Sequence, residues 1–299
     1  MKTTCLINNY NYEVYIAEAI DSAVTQTIKF DEIIIVDDGS TDNSRDIILS
    51  KSQQHDSIKY VFKDNGGQMS AFNCGYEHST GDLICFLDSD DVFKPDYLEK
   101  SISFLNNRDC DFIFCAYETF GRKNDIKLRY PYDRDLGITL IRVNYGRSLF
   151  GLGGPTSTLA IKRKIADKIF PYPYTEDWRL RADDVLAFGA SLVGARKFFH
   201  SEPLVSYRLH SDNRYSGRRI SIVDKLRRDL AINRLVNYYR NMMGYDSNLS
   251  YLACQEFETN PHPDLKSLKA YYRIVCNGIN AWPTRFYHYF NLLKHYVSS

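Results

Sequence analysis

The segment that most constrains the fold runs from residue 82 to residue 91 and reads DLICFLDSDD. Its apolar part, residues 83–87, predicts a strand that is buried on both faces. The strand ends at three carboxylates, Asp88, Asp90 and Asp91. Like charges at the end of a buried strand repel each other and lose hydration, and a cation between them offsets both costs.

Mg²⁺ and Mn²⁺ prefer oxygen ligands, often a carboxylate or two together with substrate phosphates. The segment therefore predicts a metal and phosphate site at the carboxyl end of a central strand, where open α/β sheets bind their ligands. A solvated acidic turn before the next helix is the alternative interpretation, and the segment alone does not separate the two.

Strands and helices alternate along the first third of the chain. Apolar runs predict strands at residues 3–7, 32–36, 58–62, 83–87 and 111–117, and helical spacing predicts helices near 16–24, 44–50, 68–77 and 95–106. This alternation indicates βαβ units and a mostly parallel sheet with right-handed crossovers, so the fold class is α/β. The second strand also ends in a carboxylate pair, Asp37 and Asp38, which we expect at the same edge of the sheet as the first cluster.

The remaining pattern is weaker. Residues 118–150 predict hairpin and loop, Thr156–Ile161 predict a strand, and two further strands are expected at 197–200 and 204–207. The chain beyond is mostly helical and rich in aromatic residues. We therefore divide it into a catalytic domain, residues 1–215, and a helical extension, residues 216–299.

Composition narrows the class of protein. Residues 211–299 carry 13 Lys/Arg and seven Asp/Glu, whereas the first 210 residues carry 25 and 30, so an acidic body precedes a basic tail that suits an anionic partner. The seven cysteines form no CxxC pair, and most lie in apolar strands or helices, which predicts reduced and buried thiols in a cytoplasmic protein. The N-terminus lacks a signal-peptide pattern, and no apolar run is long enough to span a membrane.

Six motifs occur in a fixed order: INNYN at 7–11, IVDDGSTD at 35–42, NGGQ at 65–68, GDLICFLDSDD at 81–91, ADD at 182–184 and YRLH at 207–210. Together they resemble the inverting glycosyltransferases of family 2, over roughly residues 3–215. The resemblance implies a GT-A (Rossmann-like) fold, in which helices flank a central sheet, here followed by C-terminal helices. It also implies sugar transfer in bacterial polysaccharide and cell-envelope synthesis.

The resemblance further implies a nucleotide-sugar site and a metal site. The residues implied in nucleotide-sugar binding are Asn9, Tyr10, Asn11, Asp37, Asp38, Asn65, Gly67, Gln68, Asp88, Ser89 and Arg208. Tyr10 would stack on the base, since aromatic faces bind bases well, and Asp37 or Asp38 would accept an N–H from it. The DxD motif and its surroundings, Asp88, Asp90, Asp91 and His210, would hold Mn²⁺ or Mg²⁺. Arg208 would bind the diphosphate or form a structural ion pair with the acidic pair that carries the base.

An inverting transferase needs a base that deprotonates the acceptor hydroxyl. Two acidic pairs are candidates, Glu176-Asp177 and Asp183-Asp184. The second pair has the family's spacing to the YRLH segment and opens an apolar helix, whose dipole favours a carboxylate at its N-terminus. We expect Asp184 to be the base, with Asp183 second.

The predicted function is metal-dependent transfer from a nucleotide-sugar, with UDP ahead of GDP or dTDP, to a saccharide or lipid-linked saccharide. A nucleotidyltransferase is one alternative, although the turn after the first strand lacks the glycines and the cation that a triphosphate needs. A non-catalytic nucleotide-sugar-binding module is another. Nothing points to nucleic acid as a partner. The basic, aromatic tail predicts either packing within or between protein chains or peripheral contact with the inner face of the cell membrane.

Overall fold

The computed structural model describes residues 1–145, 151–210, 221–246 and 248–299. Its strands are β1 (Thr3–Asn9), β2 (Glu32–Asp37), β3 (Ile58–Phe62), β4 (Leu83–Asp88), β5 (Val92–Phe93), β6 (Phe112–Gly121), β7 (Asp125–Lys127), β8 (Arg134–Ile138), β9 (Leu159–Lys162) and β10 (Arg196–Leu209). They form one sheet in the order β3-β2-β1-β4-β9-β6-β10-β5, with β7 added to β6 and β8 added to β10.

The helices are α1 (Ile16–Val24), α2 (Ser44–Gln54), α3 (Gln68–His78), α4 (Tyr97–Asn106), α5 (Leu140–Tyr145), α6 (Arg163–Ile169), α7 (Ala182–Leu192), α8 (Ile222–Met242), α9 (Ala253–Glu258), α10 (Leu265–Gly278) and α11 (Trp282–Ser298). Short 3₁₀ helices lie at Thr156–Thr158, Thr175–Trp178 and Ser250–Leu252. The predicted α/β class, with a central sheet between helices and further helices after it, is confirmed.

The first four strands pair in parallel, with β1 between β2 and β4. In this register Asn9 lies beside Asp37, and Asn8 lies beside Asp88. The predicted meeting of the two acidic clusters at one sheet edge follows from this pairing, because all these strands end at the same side.

Strand β4 is buried on both faces, as its apolar run predicts. Ile84 and Phe86 join the core on one side of the sheet, and Leu83, Cys85 and Leu87 join the core on the other. Because successive side chains of a strand point to opposite faces, each core receives alternate residues of the run.

Three of the predicted strands differ from the structure. The predicted strand at Thr156–Ile161 begins as a 3₁₀ helix, and β9 that follows is antiparallel to both of its neighbours. The two short strands predicted at 197–200 and 204–207 are one strand, β10, which is irregular between His200 and Val205. Pro203 lies in this irregular part, and it interrupts the pattern on which the sequence prediction relied.

The predicted division at residues 215 and 216 lies outside the described residues and stays a prediction. After it, α8 adds Ala231, Leu235 and Tyr239 to the main core. The last helices instead form a core of their own with α5. Its buried members are Ile141, Leu249, Ala253, Cys254, Phe257, Leu268, Tyr271, Ile274, Val275, Ile279 and Leu292.

All seven cysteines are free, and five of them are buried. This agrees with the predicted burial of most of the thiols. Among the described residues, no helix combines the length and apolarity that crossing a bilayer requires.

Glu256 of α9 links the C-terminal core to α5. Its buried carboxylate accepts hydrogen bonds from the backbone N–H groups of Ile141 (2.6 Å) and Arg142 (2.9 Å) and from the hydroxyl of Tyr271 (2.7 Å). The first turn of a helix has N–H groups with no partner inside the helix, so this side chain caps α5.

We predict that Glu256→Gln lowers the free energy of unfolding by about 2 kcal/mol, because the amide leaves one buried N–H without an acceptor. Glu258→Gln changes an exposed residue of the same helix and is expected to change stability by less than about 0.5 kcal/mol. Urea unfolding followed by circular dichroism measures both. Equal stability of the two variants would refute the capping role.

Candidate active site

A cleft of about 1410 Å³ opens at the carboxyl ends of β1, β2 and β4. Its walls include the turn after β1, the turn before α3, the acidic turn after β4, residues 151–156, the start of α7 and one face of α8. Parallel strands end on this side, so their terminal side chains gather here without further bending of the chain.

The three carboxylates after β4 each have an oxygen within 4.8 Å of the others. Asp88 and Asp90 are half-buried and line the cleft. Asp91 is only 1% exposed, and its two oxygens accept hydrogen bonds from the hydroxyl of Ser157 (2.6 Å) and the backbone N–H of Arg208 (3.0 Å). The structure thus presents two of the three carboxylates to the cleft and uses the third within the protein.

Negative charge at the cluster is only partly compensated. Burial, and then the charges of Asp90 and Asp183, raise the pKa of Asp88 to about 7. Burial, followed by Asp90 and Asp88, also raises the pKa of Asp91 well above its usual range. A divalent cation offsets this kind of crowding, so the donor set fits a Mn²⁺ or Mg²⁺ ion.

His210 lies beside the cluster, with Nε2 3.0 Å from an oxygen of Asp90. Its ring packs against Tyr15 at 4.8 Å between centroids. The imidazole therefore adds a nitrogen donor beside the two carboxylates that could hold a metal ion.

Arg208 is engaged on the protein side of the cluster. Its Nε donates to the backbone oxygen of Asp90 (2.9 Å), and its guanidinium pairs with Glu18. The same group stacks on Phe120 at 4.3 Å. The charged partner of this guanidinium is Glu18, which belongs to neither acidic pair, and pairing of Arg208 with the diphosphate stays a prediction.

Gln68, the first residue of α3, bridges the acidic cluster and α7. Its Nε2 donates to Asp88 (2.9 Å) and to the hydroxyl of Thr156 (3.3 Å), while its Oε1 accepts from the backbone N–H of Ala182 (2.9 Å). One amide therefore fixes an Asp of the DxD motif relative to the helix that carries the second acidic pair.

The first acidic pair divides into a buried and a lining residue. Asp37 is fully buried and accepts from Asn9 Nδ2 (2.9 Å), Ser40 N (3.0 Å) and Arg45 Nε (3.1 Å). Asp38 reaches the cleft, but it also accepts from the backbone N–H groups of Gly66 (2.9 Å) and Gly67 (2.7 Å). This carboxylate shapes the turn before α3.

That turn depends on Gly67, whose φ is +85°. An added Cβ would lie 2.5 Å from Cα of Arg179, so the close approach of the two segments requires glycine here. Asn65, in the same turn, donates to the backbone oxygen of Asp38 (2.8 Å) and accepts from Arg179.

The turn after β1 supplies the other lining residues. Tyr10 is half-buried and faces the cleft. Asn11 has φ +57°, and its Oδ1 accepts from the backbone N–H of Thr41 (2.7 Å), which holds the turn against the segment after β2. Ser89 also lines the cleft and is 1% exposed, and its hydroxyl has no partner among the described residues.

Asp183 and Asp184 begin α7 and both line the cleft. Asp184 is 7% exposed and accepts from Arg181 Nε (3.1 Å) and from Arg228 of α8 (2.9 Å to Nη2). Asp183 is half-buried, and burial, followed by the charge of Asp184, raises its pKa to about 7. The two neighbours therefore have different environments.

The other candidate pair, Glu176-Asp177, lies outside the cleft. Glu176 and Asp177 lie in a 3₁₀ helix, and neither lines the cleft. Asp177 pairs with Arg234 (3.2 Å), and the exposed Glu176 pairs with Arg179 (3.2 Å). Neither carboxylate of this pair therefore faces the cleft, and both form ion pairs with arginines.

Three residues escaped the sequence analysis. Arg228 stood among the cations of the tail, and only the packing of α8 brings it to Asp184. Ser157 bridges the cluster by accepting from the backbone N–H of Asp88 (3.0 Å) while donating to Asp91. Lys197 is fully buried and donates to the backbone oxygens of Leu152 (2.9 Å) and Ala187, which anchors α7. None of these carries a sequence signal beyond its residue type.

Comparison with known proteins gives a consistent family. Residues 4–170 match the sequence profile "Glycosyl transferase family 2". An uncharacterised glycosyltransferase of Nostoc sp. is 31% identical over 95% of this chain and 89% of its own length. The putative teichuronic acid biosynthesis glycosyltransferase TuaG of Bacillus subtilis is 39% identical over 38% of this chain and 46% of its own length.

Solved structures agree in fold. The structure of S. aureus TarS 1–349 in complex with UDP-GlcNAc has a TM-score of 0.60 and 17% identity, over 99% of this chain and 89% of that one. The mannosyltransferase PcManGT of Pyrobaculum calidifontis, in complex with GDP-Man and Mn²⁺, has a TM-score of 0.54 and 17% identity, over 99% of this chain and 86% of that one. At this identity the likeness shows the GT-A fold.

The Gln68 bridge is open to a direct test. Gln68→Leu is expected to lower kcat/KM by about 10-fold to 100-fold, because Asp88 and α7 lose their common partner (about 1.4–2.7 kcal/mol). Gln26→Leu is the matched control, since Gln26 bridges Ser22, Lys94 and Leu98 away from the cleft. Steady-state kinetics and thermal melts of both variants separate the site from stability. Similar kinetics for the two variants would remove the special role of Gln68.

Proposed function

The chain belongs to glycosyl transferase family 2, and we propose that it is a metal-dependent, inverting enzyme that moves a sugar from a nucleotide-sugar to an acceptor hydroxyl. One observation carries the proposal: Asp88 and Asp90 lie in the same cleft as Asp183 and Asp184, and Gln68 joins the two groups. A transferase of this kind needs both, since one must face the leaving diphosphate and the other the attacking hydroxyl.

The donor would occupy the part of the cleft near β1, β2 and β4. Tyr10 offers an aromatic face to the base, and Asp38 offers a carboxylate oxygen to a base N–H. The turn at residues 65–68 brings backbone close to the ribose and the diphosphate. We propose UDP as the nucleotide, which TarS binds in UDP-GlcNAc, with GDP as the alternative bound by PcManGT.

Asp88 and Asp90, with His210 beside them, would hold the Mn²⁺ or Mg²⁺ ion. The bound ion supplies positive charge next to the leaving nucleoside diphosphate. Asp91 acts on the protein side, because its hydrogen bonds to Ser157 and Arg208 fix the turn that presents its neighbours.

We assign proton abstraction to Asp184. In an inverting reaction the base lies across the sugar from the diphosphate. Asp183 faces the metal side of the cleft, since its charge is one of those that raise the pKa of Asp88. Asp184 instead pairs with Arg228 of α8, which forms the opposite wall of the cleft. The guanidinium groups of Arg181 and Arg228 both donate to the Asp184 carboxylate and hold it in place at the cleft.

The reaction then balances without another reactant. The acceptor oxygen bonds to the anomeric carbon, the bond from that carbon to the diphosphate oxygen breaks, and the acceptor proton passes to Asp184. Asp183 is left to bind a hydroxyl of the donor sugar. The relatives include a putative teichuronic acid enzyme, which supports a saccharide or lipid-linked saccharide as the acceptor in polysaccharide synthesis.

The first prediction from this proposal concerns the metal. Asp90→Asn is expected to lower nucleoside diphosphate release from the best donor of a UDP-, GDP- and dTDP-sugar panel by at least about 100-fold. EDTA should abolish wild-type release, and Mn²⁺ should restore it.

The control is Asp125→Asn, which removes an acid of the surface ion pair with Lys127. Calorimetric titration with Mn²⁺ in the presence of UDP supplies a readout other than turnover. Release by Asp90→Asn within a few-fold of wild type would show that the metal assignment is wrong.

The second prediction separates the two carboxylates of α7. Asp184→Asn should lower kcat by about 10²-fold to 10⁴-fold while the donor Kd stays within about two-fold, because the base acts on the acceptor. Asp183→Asn should weaken donor affinity instead.

Asp177→Asn, outside the cleft, serves as the control and should retain activity. Calorimetry gives donor Kd, and initial rates give kcat. If Asp183→Asn loses kcat at an unchanged donor Kd while Asp184→Asn stays active, Asp183 is the base and the two assignments must be reversed.

A further inference from the structure

Helix α11 presents apolar side chains to the outside of the protein. Trp282, Phe286, Phe290, Leu293 and Val297 are 74%, 66%, 60%, 47% and 77% exposed. Their spacing of four, four, three and four residues places them in one stripe along the whole helix, and Tyr287 lies beside it. A continuous exposed stripe of this kind marks an interaction surface, unlike single exposed apolar residues.

The opposite side of α11 faces the protein, where Leu292 joins the C-terminal core and several polar side chains find partners. His288 is buried, with Nδ1 3.0 Å from Sγ of Cys254. His295 Nε2 lies 2.9 Å from the backbone oxygen of Asn260, and Arg285 Nε donates to that of Ile279 (3.0 Å). These contacts fix the rotation of the helix, so its aromatic stripe points outward because its polar groups already have partners inside.

Charge identifies the kind of partner. Residues 265–299 contain five Lys/Arg and no Asp or Glu. Lys294 is exposed close to the stripe, and Lys266, Lys269 and Arg273 are exposed on α10. Such a surface attracts an anionic partner, and its cations lack complementary acids in a second copy of the same surface.

We propose that the outward face of α11 binds an anionic lipid bilayer, with the helix lying in the plane of the interface. Trp, Tyr and Phe with Lys nearby are the residues that settle at the boundary between headgroups and acyl chains. At 17 residues the helix is about 25 Å long, too short and too polar to span, but long enough for all five residues of the stripe to enter one leaflet. This surface is independent of the proposed transfer chemistry.

Trp282 provides a local probe, because the chain has only two tryptophans and Trp178 is 2% exposed. The full chain is mixed with vesicles of phosphatidylcholine alone or with about one third phosphatidylglycerol. Binding to the anionic vesicles is expected, with a blue shift of Trp282 emission and quenching by lipids brominated near the headgroup. Because the attraction of Lys and Arg to anionic headgroups is electrostatic and screened by salt, raising salt from about 0.05 to about 0.5 M should weaken binding by at least about 10-fold.

The test variant is Phe286→Ser/Phe290→Ser, which should lower the bound fraction at least about 10-fold because two aromatic anchors are lost. The matched control is Ile126→Ser/Leu128→Ser, which changes exposed apolar residues outside the C-terminal helices. Circular dichroism and sugar transfer to a soluble acceptor should be unchanged in both. Trp282→Phe should abolish the emission shift and leave sedimentation with vesicles intact.

Two kinds of result would overturn the proposal. One comes from vesicle binding: the test and control variants bind equally, or wild type does not bind at low salt. The other is a wild-type dimer in sedimentation velocity that Phe286→Ser/Phe290→Ser converts to a monomer without any vesicle binding, which would make the face a contact between copies.

Discussion

The crowding of carboxylates at the end of β4 is the constraint on which the active-site half of the molecule depends. A buried strand that ends in three acids is unfavourable unless each oxygen finds a partner. Ser157 and the backbone N–H of Arg208 donate hydrogen bonds to the two oxygens of Asp91, and Gln68 donates one to Asp88. The ring of His210 contacts an oxygen of Asp90. These partners come from three segments of the chain, so the same contacts that satisfy the cluster also bring the walls of the cleft together.

Polar side chains join the walls of the cleft in addition to the apolar packing between their helices. Gln68 connects α3 with α7, Lys197 anchors α7 from the strand below, and Arg228 connects α7 with α8. Each of these side chains is polar or charged and lies in or beside the cleft or the core. Such groups are tolerated where their hydrogen bonds are complete, and they fix geometry more tightly than apolar contacts do. An enzyme that must hold a donor and an acceptor in line benefits from this rigidity.

Much of the site was predictable because its chemistry is local in sequence. The alternation of strands and helices gave the α/β class, and the DxD and DDGS motifs marked the sheet edge where the cleft lies. The errors fell where a short pattern was ambiguous. The segment at Thr156–Thr158 contains β-branched threonine and leads into an apolar run, which favours a strand, yet it forms a 3₁₀ helix whose Ser157 bonds to two aspartates. Local propensity is overridden there by hydrogen bonds with residues 69 and 66 positions earlier.

The sequence by itself determined which residues are apolar, which are charged, and in what order the strands and helices follow. It did so because the spacing of apolar residues and the positions of charges can be seen directly in the chain. Only the tertiary structure decided that Asp38 rather than Asp37, and Asp90 rather than Asp91, lines the cleft. It also brought Arg228 to Asp184 and turned the aromatic face of α11 outward. These outcomes depend on contacts between distant segments, and an amphipathic pattern does not state which of its faces the rest of the protein will cover.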